Sequence, residues 1–243
     1  MTTPATTTAP PFTGFPDEAL ALYEGLEADN SRAYWNDHRD LYEGAVRGPM
    51  LAMLAALEPE FGEAKLFRPY RDVRFSKDKS PYKTAAGAVV HQGDGEGSLY
   101  VQFSAAGLMT GGGYYQVAAD QLARYRAAVQ DDACGASLVA VVRALADGGF
   151  GVGAAESLKR VPRGMDPGHP RAELLRYKGL AAFRSHPPQD WLSTPQALEV
   201  VTADWRAMTD LNSWLRTNVG PAEHTEGDEP RPARGTRRVS PGG

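Results

Sequence analysis

Residues 99–115 constrain the fold most. Positions 99–104 read Leu-Tyr-Val-Gln-Phe-Ser, an alternation that puts Leu99, Val101 and Phe103 on one face of a strand. Ala105-Ala106-Gly107 can then turn the chain straight back into a second strand over 108–115. An alternating strand followed at once by a tight turn is an antiparallel hairpin with one buried face. A third strand, small and β-branched over 85–91, precedes it across the Gly93-Asp94-Gly95-Glu96-Gly97 turn. Gly111-Gly112-Gly113 weakens a strand interior, which fits close approach of a ligand to the backbone on one reading, and a bulge or tight packing against a helix on the other.

Helical periodicities stand on either side. Leu22, Leu26 and Ala19 or Tyr23 predict a helix over 17–28, and Asp29-Asn30-Ser31 breaks it and caps a second over 32–46. Pro49 opens a third to about Leu57, closed by Pro59 and Gly62. Helices over 120–129, 137–145 and 171–177 follow, and Leu198, Val201, Trp205, Met208 and Leu215 mark a last one over 195–218. Positions 150–156 read as irregular. The class is α+β: N-terminal helices, a central mainly antiparallel sheet, and C-terminal helices packed on one face. One domain spans about 11–219, between disordered tails at 1–10 and 220–243.

Function points to residues 68–83, RPYRDVRFSKDKSPYK. Arg68, Arg71, Arg74, Lys77, Lys79 and Lys83 stand against only Asp72 and Asp78, so this segment carries +4 in a chain whose formal charge is −4. Such crowding repels itself unless an anion sits within it. Tyr70, Val73, Phe75 and Tyr82 are interleaved, which a disordered basic tail would lack. On a strand running over 66–75, Arg68, Tyr70, Asp72 and Arg74 share a face; on a helix, Arg71, Arg74 and Lys77 or Asp78 line up. Either way guanidinium forks suited to phosphate or carboxylate come together, held by Asp72 and Asp78. The alternative is an internal ion-pair network.

A second basic cluster, Lys159, Arg160, Arg163, His169, Arg171, Arg176 and Lys178, falls in a loop held by Pro162, Gly164, Pro167 and Pro170. Arg171 and Arg176 read as solvated loop residues; Arg160, Arg163 and His169 are site candidates, and the two basic segments can converge on one anion.

The run RDVRFSKDKSPYK resembles the signature of a widespread family, Domain of Unknown Function 2461. The likeness extends to the opening motif, where Asp29-Asn30, Tyr34-Trp35, Arg39 and Tyr42 stand for the family's paired asparagines, Trp-Phe, basic residue and Tyr. It extends also to the glycine-rich strand and to Pro162-Arg163-Gly164 with His169-Pro170. Asp29 and Tyr34 depart from the pattern. The resemblance implies a single domain and makes Asn30 and Arg39 secondary site candidates. It brings no reaction, cofactor or substrate.

Composition narrows the rest. A pI near 5.8 argues against general nucleic-acid binding. The lone Cys134 cannot form an internal disulfide, which points to the cytoplasm, and Asp131 and Asp132 beside it would raise its thiol pKa. No apolar run approaches the about 20 residues needed to span a bilayer, and the N-terminal segment lacks the pattern of a signal peptide. One Cys and five scattered His give no zinc spacing. No Walker, EF-hand, His-Glu-x-x-His or Gly-x-Ser-x-Gly motif is present.

Two functions follow. One is an enzyme for a phosphate- or carboxylate-bearing small molecule: Arg68, Arg71 and Arg74 clamp the anion, Lys77, Lys79 or Lys83 stabilise developing charge, and Asp78 or His169 moves protons. The other is a binding module for a protein partner or nucleic-acid backbone. The acidic remainder of the chain favours a small anion over a long polyanion.

Overall fold

A computed structural model describes residues 10–72, 74, 78–91 and 97–223. The hairpin forms the centre of a six-stranded sheet among these residues: β1 (Ala64–Leu66), β2 (Ala85–His91), β3 (Ser98–Ser104), β4 (Gly107–Tyr114), β5 (Gly151–Gly153) and β6 (Leu180–His186). The order is β1-β2-β3-β4-β6-β5, and every pairing is antiparallel. Gly107 makes the β3–β4 turn at φ 95°, a conformation open mainly to glycine.

The helices are α1 (Asp17–Ala28), α2 (Arg32–Leu41), α3 (Gly48–Phe61), α4 (Ala119–Gln130), α5 (Asp132–Asp147), α6 (Ala172–Leu175), α7 (Gln196–Ala207) and α8 (Thr209–Asn218). Ser31 caps α2 by accepting the Tyr34 N–H, and Asp131 caps α5 by accepting that of Cys134. Both faces of the sheet follow from the two-residue period. Ala88, Val90, Leu99, Val101, Phe103, Leu108 and Ala182 are buried on one face. There Phe15 stacks on Phe103 at 4.3 Å, and the Trp205 indole donates to the Tyr100 carbonyl at 3.0 Å. The other face is open: Tyr100, Gln102 and Met109 are half-buried and Phe183 is exposed.

The fold class is as the sequence implies, and several boundaries are not. The strand expected over 66–75 ends at Leu66, and the chain then makes one isolated bridge, Tyr70 to Tyr82. Pro69 and Pro81 have no N–H to extend a ladder; they only accept, from Lys83 and Arg71. The helix expected over 32–46 is α2 followed by a π-helical turn, Tyr42–Arg47, that runs on into α3. Gly62 at φ 97°, not Pro59, closes α3. The helix expected over 195–218 breaks at Met208, which lies buried on Gly112. Strand β5 falls where an irregular stretch was expected, and β6 was not anticipated. Residues 220–223, placed in a loose tail by the sequence, lie against α4, where Gln121 and Arg124 donate to the Gly220 and Pro221 carbonyls.

Candidate functional site

The basic segment is a closed loop whose neck is the Tyr70–Tyr82 bridge. Asn30 locks that neck from α2's N-terminal side: its Nδ2 donates to the Tyr82 carbonyl at 3.2 Å and its Oδ1 accepts the Tyr82 N–H at 3.0 Å. The side-chain amide thus acts as a short piece of neighbouring strand. Trp35 stacks on Tyr82 at 4.6 Å and meets Tyr70 edge-on. Tyr82, expected to touch ligand, is 5% exposed and belongs to the core. Asn30 is committed to the backbone, and Arg39 is exposed on α2.

Within the loop, two of the guanidinium forks are already engaged. Arg74 makes paired bonds to Asp72, at 2.9 Å from Nε and 2.6 Å from the terminal nitrogen. This holds the Asp72 carboxyl down at about 2. Arg71 pairs with Asp78, which also accepts the Ser80 N–H at 2.9 Å. The two acids hold the forks as the sequence suggested, and by doing so they occupy them. Lys79 is exposed; Lys77 lies outside the described residues. Arg68 is exposed and makes no hydrogen bond or ion pair among the described residues. The Lys83 ammonium stands 5.0 Å over the ring of Phe67. Its pKa is lowered, first by desolvation and then by repulsion from Arg68 and Arg71.

The second basic segment does not join the first. The 67–84 loop leaves the sheet at the end that carries the β3–β4 turn, whereas the chain beyond Gly153 leaves at the end of Ser98 and Tyr114, beside the opposite edge strand. Arg160 and Arg163 are exposed there. His169 is half-buried, its Nδ1 accepting the Arg171 N–H at 3.1 Å. Arg171 closes the end of α4, donating to the carbonyls of Val129, Gln130 and Asp131. The idea of one shared pocket is corrected by this register.

Beside the first segment lies a feature that sequence reasoning did not assemble. A groove of about 430 Å3 crosses the open sheet face, lined by Phe67, Tyr100, Gln102, Tyr115 and Phe183 over a floor that includes Gly111 and Gly113. It continues past Lys65 and His91. The triple glycine divides between the two faces of β4: Gly112 packs on Met208, while Gly111 and Gly113 face the groove. Tyr100 Oη donates to Gln102 Oε1 at 2.9 Å. Burial, with Tyr115 nearby, raises the Tyr100 pKa.

Under the sheet, Asp204 of α7 is 2% exposed and gathers Thr110, Arg184 and His186. This cluster was also missed, because its members lie up to 94 positions apart. Cys134 has a raised thiol pKa, through its hydrogen bond with Asp131 and then burial, as its acidic neighbours suggested. Among the described residues no three His, Cys, Asp or Glu side chains form a metal-holding group, and no helix is long and apolar enough to cross a membrane.

Comparison with known proteins gives one family model, conserved hypothetical protein (DUF2461), matching residues 18–214. No curated protein and no solved structure matches the chain.

Proposed function

Because the chain belongs to the conserved hypothetical protein family DUF2461, whose description names no reaction, we propose from the geometry that it binds a small phosphate- or carboxylate-bearing molecule at the basic edge of its sheet. The position of Lys83 carries this reading. Its ammonium is partly desolvated against Phe67 and sits in the field of Arg68 and Arg71, so its charge is disfavoured as the protein stands. An anion placed there relieves the repulsion and offsets the desolvation with a charge pair. Arg68 is the natural second contact, since Arg71 and Arg74 are held by Asp78 and Asp72.

As an enzyme, the protein would use Lys83 to stabilise negative charge developing on a substrate. As a binding module for a nucleic-acid backbone, it would show a steep loss of affinity with salt. The short cationic edge favours a small anion. The proposed setting, from the lone Cys134, is the cytoplasm.

Thermal unfolding with inorganic phosphate, against chloride at matched ionic strength, tests the reading. Phosphate is expected to raise the wild-type Tm and to lose that effect in Lys83→Met and Arg68→Met. A wild-type Tm indifferent to phosphate, or an equal rise in Lys83→Met, rejects it.

A further inference from the structure

We infer that the anion held at Lys83 is the acidic group of a flat ring compound, an aryl or heteroaryl phosphate or carboxylate, whose ring lies on the glycine floor of the open sheet face. The inference rests on the anion reading above and names the rest of the ligand.

The floor is the first argument. Most glycines around it are explained by the fold. A side-chain carbon at Gly112 would meet Met208, one at Gly87 would meet the Tyr100 phenol, and Gly113 has φ 130°. Gly111 has no such reason. Its φ is not positive, and a side-chain carbon there would find nothing nearer than 3.5 Å. Packing therefore tolerates a larger residue at 111, and what glycine leaves is open space at the groove's centre.

The walls are the second. Phe67, Tyr100, Tyr115 and Phe183 bound the floor, with Tyr115 59% and Phe183 37% exposed. Aromatic walls over a flat floor suit another ring, which gains stacking or edge contacts beyond its buried area. The volume of about 430 Å3 falls within the usual range for small-molecule sites, about 300–1,000 Å3. Tyr100 Oη fixes Gln102 by its Oε1, leaving the Gln102 amide donors for an acceptor on the ring edge.

Charge is the third. Lys65 is the one formally charged residue among the described lining, and Lys83 stands against the Phe67 wall. No carboxylate of the described residues lines the groove, so an anionic occupant is matched and a cationic one is not.

Titration calorimetry with 2-naphthyl phosphate, 2-naphthol and inorganic phosphate tests the inference. Wild-type protein is expected to bind 2-naphthyl phosphate at least about tenfold more tightly than inorganic phosphate. Gly111→Leu, which fills the floor, should lose that increment and keep the phosphate response. Phe183→Ala, an exposed wall substitution, should lose part of it, so the test survives if Gly111→Leu fails to fold. If wild type binds both phosphates equally, the ring inference falls and the anion reading stands. If wild type ignores inorganic phosphate, and Lys83→Met binds 2-naphthyl phosphate as well as wild type does, both fall. A concentration-dependent dimer in light scattering that Gly111→Leu dissolves also overturns the inference, assigning the face to a second copy of the chain.

Discussion

His186 Nε2 lies 2.7 Å from Asp204 Oδ2 and ties the last strand of the sheet to α7. The same oxygen accepts the Thr110 hydroxyl at 2.7 Å, and Oδ1 accepts from Arg184 at 3.0 Å. A carboxylate oxygen only accepts, so His186 Nε2 carries the proton in this contact. Arg184 also donates to the Gly148 carbonyl and lies 4.4 Å over Phe150. One buried acid thus joins β4, β6, α7 and the end of α5.

Removing that acid strands three donors. Asp204→Ala is expected to destabilise the protein by about 3 kcal/mol, near the low end for a broken buried pair because Arg184 keeps a 33% exposed side chain. Thr110→Val should cost only about 1 kcal/mol. Urea denaturation measures both. Equal losses from the two substitutions would show that Asp204 is not the hub.

Asn30→Ala removes both bonds to the Tyr82 backbone. The expected cost is about 1–3 kcal/mol, with a larger local effect: the Tyr82 amide should exchange much faster in hydrogen–deuterium exchange. Asn30→Asp keeps the acceptor for that amide and loses only the donor, so it should retain more of the protection. Unchanged exchange in Asn30→Ala would mean that the backbone bonds of Arg71 and Lys83 and the stacking on Trp35 hold the neck without Asn30.

The fold was legible where one periodicity was undisturbed. The alternation through β3 marked its buried face, and Asp29-Asn30-Ser31 marked the helix break. Strand β6 was hidden because its half-buried positions on the Asp204 side include Arg184 and His186, which read as surface residues until Asp204 supplies their partner. The groove was hidden for a different reason: it is made from side chains missing on one strand, at Gly111 and Gly113, and rings supplied by other elements. The basic loop was visible as a charge excess. How much of that excess its own aspartates cancel depends on the bonds to Arg71 and Arg74, which spacing does not fix.

Asp72 offers a pH test of the engaged forks. Its carboxyl is held at about 2 by the Arg74 side chain and then by the Arg74 backbone N–H. A depressed carboxylate stabilises the fold above its usual value of 3.8, and that contribution fades as pH falls toward about 2. The site is exposed, so the stability effect is small and the titration itself is the better readout. Carbon-detected NMR should place the Asp72 midpoint near pH 2 in wild type and return it toward 3.8 in Arg74→Gln. No movement on that substitution would remove the pair from solution.

Lys83 gives the opposite sign. Its pKa lies below the usual 10.5, so at alkaline pH the folded chain gives up this proton before the unfolded chain does. In that window the unfolded state binds more protons, and this group's contribution to stability rises with pH. Anion binding should do the reverse. It needs the ammonium, so phosphate affinity falls as pH passes through the depressed value, and binding there takes up a proton because the anion restores the charged form. Calorimetry in two buffers of different ionisation enthalpy should give different apparent heats in that alkaline range, where phosphate is already the dianion. Lys83→Met should abolish the difference. Heats that agree between buffers across the alkaline range would show that Lys83 is not the group that meets the anion.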